Sequence, residues 1–447
     1  MRLMDALALR RGDVVAFTGA GGKTSALARL ASELAGAGWR VLATTTTRIG
    51  FHQLALFPAS CSYEQMGQAL SAFLDERRAV FWYSRIHEDK VYGIAPEQVT
   101  DLLDAVNADI LLIEADGARR MPLKAPYTHE PVVPPSSTVI INIGGYSAYG
   151  QALDDDHVYN ARGLAARAGV VPGSRIDRGV MVAALTCGAG GEKQTGQRFV
   201  TMLNGVPEGH PRSVARRIAQ LSLVHPNVER AVIGAVESAG EPVSEVQRRI
   251  CAVVLAAGLS RRMGQQKLLL PWLRGSTVIE HVIGQIRAAG VSNVLVVTGA
   301  NADAVSAAAR RACALTIHNP DYAAGEMLST LQTGLRAAAN QDAAAVLVVL
   351  GDQPSIRSRN VRRVLDAYAV GRGGIIAPSH AMRRGHPILI DRVYWQEILD
   401  LPAGSAPRDV INRHADAIAY VETDDSVLRD IDTPDAYAEE YRRAEKQ

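Results

Sequence analysis

Twice along the chain a short apolar run of strand character breaks into a glycine-rich turn and continues as a helix-forming or basic stretch. The first unit is Asp13-Val-Val-Ala-Phe-Thr18, the turn from Gly19 to Gly22, and a helical stretch from about Lys23 to Ala37; the second is Ile250-Cys-Ala-Val-Val-Leu-Ala-Ala257, then Gly258 and a basic segment. Such units, set among further β-branched runs, call for parallel strands buried between crossover helices. Further strands are predicted at Arg40–Thr46, Ala79–Tyr83, Asp109–Glu114, Thr138–Ile143, Val180–Leu185 and Arg230–Val236. The second half adds Asn293–Thr298, Ala314–His318, Ala343–Leu350, Gly374–Ala377 and Pro387–Ile390. The stretch Glu237–Glu245 is polar, contains Gly240 and Pro242, and carries neither hydrophobic period, so the boundary between two unlike domains is placed there, at residues 1–240 and 249–447. A chain of 447 residues has room for two or three cores at ~150 residues each.

Composition excludes several partners. Lys plus Arg number 48 against 46 Asp plus Glu, a net charge of +2, so no polybasic track for nucleic acid is expected. The four cysteines, Cys61, Cys187, Cys251 and Cys313, are far apart and form no C-x-x-C pair, which argues against a disulfide framework or a thiolate zinc site. Met1–Asp13 lacks the apolar core of a signal peptide. The densest apolar run, Ala343–Leu350, is far short of the ~20 residues that span a bilayer. The expectation is a cytoplasmic protein with no membrane or nucleic-acid partner.

In the C-terminal half the densest signal is Leu255-Ala-Ala-Gly-Leu-Ser-Arg-Arg-Met-Gly-Gln-Gln-Lys267. A strand ending at Gly258 turns backbone N–H groups toward an anion, and Arg261 and Lys267 add fixed positive charge suited to a triphosphate. A plain glycine turn flanked by surface cations reads the same way. Downstream, a buried strand delivers Asp352, and Asp430 and Asp432 lie two apart on one side of an extended segment. Two carboxylates from different strand ends suit a Mg²⁺ that also holds phosphate oxygens. Taken singly, Asp352 as a cap for the next helix and Asp432 as the N-cap of a helix from Thr433 are the simpler readings.

These motifs, with Asn319-Pro-Asp-Tyr-Ala-Ala-Gly325, Ser329, Gly351-Asp-Gln-Pro354, Arg384-Gly-His-Pro387 and Asp430-Ile-Asp-Thr-Pro434, resemble the molybdenum cofactor cytidylyltransferases, within the wider MobA-like nucleotidyltransferase fold. The resemblance covers nearly all of residues 249–447. It implies a Rossmann-like (GT-A-like) domain that joins CTP to Mo-molybdopterin, giving molybdopterin cytosine dinucleotide and pyrophosphate for a client molybdenum hydroxylase. Carried onto this chain, it implies Arg261, Lys267, Asp352 and Asp432 as the catalytic set, with Asp352 and Asp432 holding Mg²⁺. Leu255, Ala256, Ala257, Gly258, Leu259 and Ser260 would line the nucleotide, and Asn319 and Ser329 the nucleotide or pterin side. His386 would contact the pterin, or else belong to a rigid turn that opens a strand. Ala257 before the glycine and Leu259-Ser260 after it resemble the CTP-using branch more than the GTP-using one. Two other readings stand: a nucleotidyltransferase for another phosphorylated acceptor, and a nucleotide-gated carrier that hands mature cofactor to the hydroxylase.

In the N-terminal half, Phe17-Thr-Gly-Ala-Gly-Gly-Lys-Thr-Ser25 ends like a P-loop. Backbone amides at Gly19, Gly21 and Gly22, with the Lys23 ammonium, would cradle phosphates, and Thr24 would reach a Mg²⁺. The usual spacing wants glycine where this chain has Phe17, and a mere tight turn is the alternative. Glu114 and Asp116 end a buried strand, either as a metal-side pair or as solvated acids, and Thr44–Thr47 with Arg48 offers hydroxyls and one cation. Together with Glu114-Ala-Asp-Gly-Ala-Arg119, Pro122-Leu-Lys-Ala-Pro126 and His129-Glu-Pro131, these resemble the selenium-dependent hydroxylase accessory (YqeC-like) family over roughly residues 5–235. That implies a role in maturing a molybdenum hydroxylase. Leu203-Asn204-Gly-Val-Pro207 lacks the Lys and Asp of a guanine-reading motif, so no base is read. Gly188–Lys193 is taken as a flexible connection and Asp154–His157 as an acidic helix N-terminus. The fold expected is thus α/β with two doubly wound domains, a P-loop-like NTP-binding one followed by a nucleotidyltransferase.

Overall fold

The computed structural model describes residues 1–63, 69–190, 196–323 and 326–446, and the chain divides into two compact units, Met1–Gln247 and Arg248–Gln447. In the first unit a nine-stranded sheet runs in the order Val243–Arg248, Val228–Gly234, Arg198–Asn204, Val139–Gly145, Val14–Gly19, Ile110–Glu114, Val41–Thr45, Ala79–Tyr83, Ser60–Ser62. The central pairings are parallel, and the register sets Phe17 beside both Glu114 and Ile141. The chain leaves Val14–Gly19 toward one side of the sheet and leaves Val139–Gly145 toward the other, so the carboxyl ends of these neighbours form a switch-point crevice where α/β sheets take ligands.

Every residue of Val14–Gly19 is buried because both faces of the sheet are covered. On one face the helix Lys23–Gly36 presents Ala26, Leu27, Leu30, Ala31 and Leu34, at helical spacing, to Val15, Phe17, Val41, Leu112 and Ile141. Burying each such leucine contributes about 1.5–3 kcal/mol.

The second unit holds a mixed eight-stranded sheet in the order Leu315–His318, Asn293–Thr298, Ile250–Ala256, Ala345–Leu350, Ile388–Asp391, Ile375–His380, Arg383–Arg384, with Ile418–Glu422 pairing Ile375–His380. Its first four strands are parallel, whereas Ile388–Asp391 is antiparallel to Ala345–Leu350. The sheet therefore departs from uniform doubly wound topology on that side. Leu255 pairs with Leu350, which brings the turn after Ala256 and the turn carrying Asp352 to the same edge. Among the described residues no helix is long and apolar enough to cross a membrane.

Several expected elements differ. Val180–Leu185 lies in a helix, Arg178–Leu185, whose N-cap Asp177 accepts a hydrogen bond from Val180 N (3.0 Å); a short apolar run has no period that separates strand from helix. Arg198–Asn204, Val243–Arg248 and Ile418–Glu422 are additional strands, the second of them beginning inside the stretch that reads as a polar connection. Asp154–His157 forms a turn in which the Asp154 carboxylate meets the His157 ring at 2.7 Å, and the helix beyond it, Ala161–Ala168, is capped by Asn160. Of the Gly188–Lys193 stretch, residues 191–193 lie outside the described residues, as do Ala324 and Gly325 of the motif at Asn319.

Candidate active site

In the second unit the chain leaves Ile250–Ala256 and closes a small ring. Ser260, in the left-handed region (φ +50°), donates from Oγ to Gln266 Oε1 (2.8 Å) and accepts from Lys267 N (3.3 Å). Gln266 Nε2 in turn donates to Ala300 O (3.3 Å). The ring aims Lys267 between two carboxylates: Nζ donates to Asp352 at 2.5 Å and to Asp432 at 2.8 Å. Asp432 also takes Arg262 Nη2 at 2.6 Å. The two acidic loops are tied by Ile431 N donating to Asp352 O (3.1 Å), and Ile431 is buried against Met263 and Trp272.

Leu255, Ala256, Ala257, Gly258, Leu259 and Ser260 line one cavity of about 630 Å³. Arg261, Lys267, Asp352 and Asp432 line it too, with Arg262, Asp430, Tyr322 and Thr330 besides. Burial works against the Lys267 ammonium, but the carboxylates of Asp352 and Asp432 outweigh it and raise its pKa. The Lys267 hydrogen bond lowers the Asp432 pKa, whereas burial, reinforced by repulsion from Asp432 and Asp352, raises that of Asp430. Among the described residues no three His, Cys, Asp or Glu side chains are placed to cage an ion. Asp352 and Asp432 supply two hard oxygen donors, which fits Mg²⁺ when phosphates and water complete its shell.

Neither carboxylate is a helix cap, since Thr433 caps Pro434–Glu445 and Arg357 precedes Ser358–Ala369. Asn319 and Ser329 do not line the cavity; buried Asn319 Nδ2 donates to Ser329 Oγ (2.9 Å) and Thr330 Oγ1 (3.1 Å), so the pair holds the strand end against the helix. The sequence pattern carried no signal for Gly299, where a Cβ would come within 2.5 Å of Tyr322 Cβ and 2.7 Å of Ala257 O.

His386 also stays off the cavity lining. Its backbone N donates to Val427 O (3.0 Å), and a Cβ on Gly385 would meet the same oxygen at 2.4 Å, so the turn is closely packed. Burial pushes the imidazole pKa down to about 4, with Asp352 opposing and Arg384 assisting. The unfolded chain binds this proton below about pH 6.5 and the folded chain does not, so stability is lost as pH falls from there toward the folded pKa. Wild-type thermal midpoints are therefore expected to drop more between about pH 7 and pH 5 than those of His386→Asn; equal drops would contradict the assignment.

In the first unit Gly22 (φ +120°) begins Lys23–Gly36, and a Cβ there would lie 2.3 Å from Asn204 Nδ2. Asn204 braces the turn, donating to Gly21 O (2.8 Å) and accepting from Val236 N (2.9 Å). Lys23 Nζ folds back onto Gly19 O (2.7 Å) and lies 3.1 Å from Asp116, which also accepts from Gly19 N (3.0 Å). Lys124 continues this buried chain, 3.1 Å from Asp116 and donating to Glu130 (2.8 Å) and Gly117 O (2.6 Å). Thr24 Oγ1 donates to Glu114 (2.7 Å). Burial raises the Glu114 pKa against the pull of Lys23 and Thr24.

A cavity of about 940 Å³ is lined by Gly21, Gly22, Lys23, Thr24 and Glu114, and by Arg48, Lys90, Arg119 and Arg120. Gly19 and Asp116 instead line a separate cavity of about 390 Å³ that also meets Lys124. The threonine run is engaged by the backbone: Thr44, Thr45 and Thr46 donate to Trp82 O, Glu114 O and Val132 O. Phe17 is buried inside its strand.

Comparison with known proteins matches residues 15–162 to the family described as YqeC protein and residues 252–418 to the MobA-like NTP transferase domain. An uncharacterized YqeC protein from Escherichia coli (strain K12) is 34% identical over 187 residues, 40% of this chain and 70% of that protein. The chain is also similar to a nicotine blue oxidoreductase of Paenarthrobacter nicotinovorans, 33% identical over 192 residues, 41% of this chain and 92% of the relative. A molybdenum cofactor cytidylyltransferase of Escherichia coli (strain K12) is 28% identical over 189 residues, 42% of this chain and 93% of the relative.

Proposed function

The chain belongs to the YqeC family in its N-terminal part and carries a MobA-like NTP transferase domain in its C-terminal part, and from this premise we propose that it is a molybdenum cofactor cytidylyltransferase. The observation that supports the reading is Lys267 held between Asp352 and Asp432 at the mouth of a glycine turn. One fold hosts several reactions, as the oxidoreductase among its relatives illustrates, so the side chains have to carry the argument.

In the proposed reaction the terminal phosphate of molybdopterin forms a bond to the α-phosphorus of CTP. The bond to the α,β-bridging oxygen breaks, and pyrophosphate leaves with the electron pair. Little covalent work falls to the protein, so positioning and charge dominate. Backbone groups around Gly258 and the cations Arg261 and Lys267 hold the triphosphate. Asp352 and Asp432 would hold Mg²⁺, which when bound supplies neutralising charge at the departing pyrophosphate. In the N-terminal unit the Gly19–Thr24 turn takes the phosphates of a nucleoside triphosphate, with Thr24 and Glu114 on the metal side. A molybdenum hydroxylase in the cytoplasm is the client.

Pyrophosphate release with molybdopterin and each of CTP, GTP and ATP tests the reading. CTP is expected to be preferred, and a clear preference for GTP overturns the base assignment. Co-purified dinucleotide without turnover would favour the carrier instead.

A further inference from the structure

Two exposed arginines, Arg119 and Arg120, line the cavity that holds the glycine turn of the N-terminal unit. Arg119 and Arg120 are successive non-glycine residues in the left-handed region, at φ +47° and +64°. Such backbone is sparsely populated, persists only where its surroundings impose it, and clusters at ligand clamps. Here the surroundings are visible. Gly117 O is held by Lys124 Nζ (2.6 Å), Met121 N closes the turn on Ala118 O (2.9 Å), and Pro122 O accepts from Gly145 N (2.7 Å).

The turn is thus pinned at both ends, and both of its arginines line the cavity. Among the described residues neither has a carboxylate within ion-pair distance; Arg119 lies 5.5 Å over the Tyr159 ring, and Arg120 meets the His52 ring at 3.4 Å. Lys23, and Thr24 with its hydroxyl bonded to Glu114 at the end of the neighbouring strand, line the same cavity. Cations, a hydroxyl and carboxylate pair, and a helix N-terminus around one cavity suit a phosphate chain whose charge shifts during reaction.

We propose that this cavity hydrolyses a nucleoside triphosphate, with Arg119 and Arg120 stabilising the charge that gathers on the γ-phosphate oxygens. The inference rests on the reading of the Gly19–Thr24 turn as a nucleotide site and adds a reaction to it. A water oxygen bonds to the γ-phosphorus, the bond to the β,γ-bridging oxygen breaks, and its electron pair leaves with the nucleoside diphosphate. The proton of the water passes to the released orthophosphate and solvent.

Orthophosphate, not pyrophosphate, is the product, so the two sites of this chain are told apart by what they release. The full-length protein is incubated with Mg²⁺ and ATP, GTP or CTP, without pterin. Orthophosphate release is expected with at least one of them, and it falls ~10²-fold or more in the Arg119→Ala/Arg120→Ala variant. Affinity for the same nucleotide carrying a fluorescent label changes much less, and Arg119→Lys/Arg120→Lys recovers part of the rate. Matching thermal melts show that the variants fold. Equal orthophosphate release by the alanine variant overturns the role of the arginines. Nucleotide bound by the wild type without orthophosphate release overturns hydrolysis and leaves the binding site standing, whereas no binding of any of the three removes both.

Discussion

Pyrophosphate release from molybdopterin and CTP is expected to fall at least ~10²-fold in Lys267→Ala, and by a similar factor in Asp352→Ala. Lys267 is the cation that two separate acidic loops share, and its side chain is 13% exposed, so the charge it brings is only weakly screened by water. Binding a triphosphate has to exchange those carboxylate contacts for phosphate ones. The effect should therefore lie mainly in kcat, because the departing pyrophosphate gains charge that the bound nucleotide lacks. Lys267→Arg keeps the charge but not the compact ammonium geometry, and partial recovery is expected. Wild-type turnover in Lys267→Ala or Asp352→Ala would remove the catalytic assignment. A rise in KM alone would reduce Lys267 to a ground-state binding group.

Most of this cavity was legible because the relevant residues are contiguous or sit at strand exits. Leu255 to Lys267 is one loop, and Asp352 follows the most apolar run in the chain, so a parallel sheet has to bring both to one edge. Arg262 could not be separated from Arg261 in sequence; which of two adjacent arginines meets Asp432 depends on a single turn of the Arg261–Met263 segment. Asn319 had the right chemistry in the wrong direction, since its amide is satisfied by Ser329 and Thr330. In the other unit the glycines, Lys23, Thr24 and Glu114 were readable. Asn204 was not, because its role depends on the strand Arg198–Asn204 lying two places from the glycine turn in the sheet. Arg119 closes the Glu114–Arg119 motif, but that it and Arg120 reach the cavity depends on the turn that holds them. The Val180–Leu185 run shows the opposite case, where a local signal existed in the cap at Asp177 but the apolar run concealed it.

Lys124→Met is expected to destabilise the N-terminal unit by about 3–5 kcal/mol, the range for removing one partner of a buried ion cluster. Lys124 is 2% exposed and joins Asp116, also 2%, to Glu130, 8%. The substitution keeps most of the volume, so the loss comes from charge left without a partner rather than from a cavity. Asp116 keeps Lys23 at 3.1 Å and the amide of Gly19, which makes Glu130 the more exposed casualty. Adding Glu130→Gln should then restore much of the stability, whereas a pure packing defect would not respond. The measurement is denaturant unfolding of the full chain, and a Lys124→Met midpoint equal to that of wild type would show that the cluster contributes nothing to the fold. The same variant also releases Gly117 O, the anchor of the turn that carries Arg119 and Arg120. Under conditions where it remains folded, its nucleotide-dependent orthophosphate release should fall together with its stability, because the strained turn then loses one of the three hydrogen bonds that hold it.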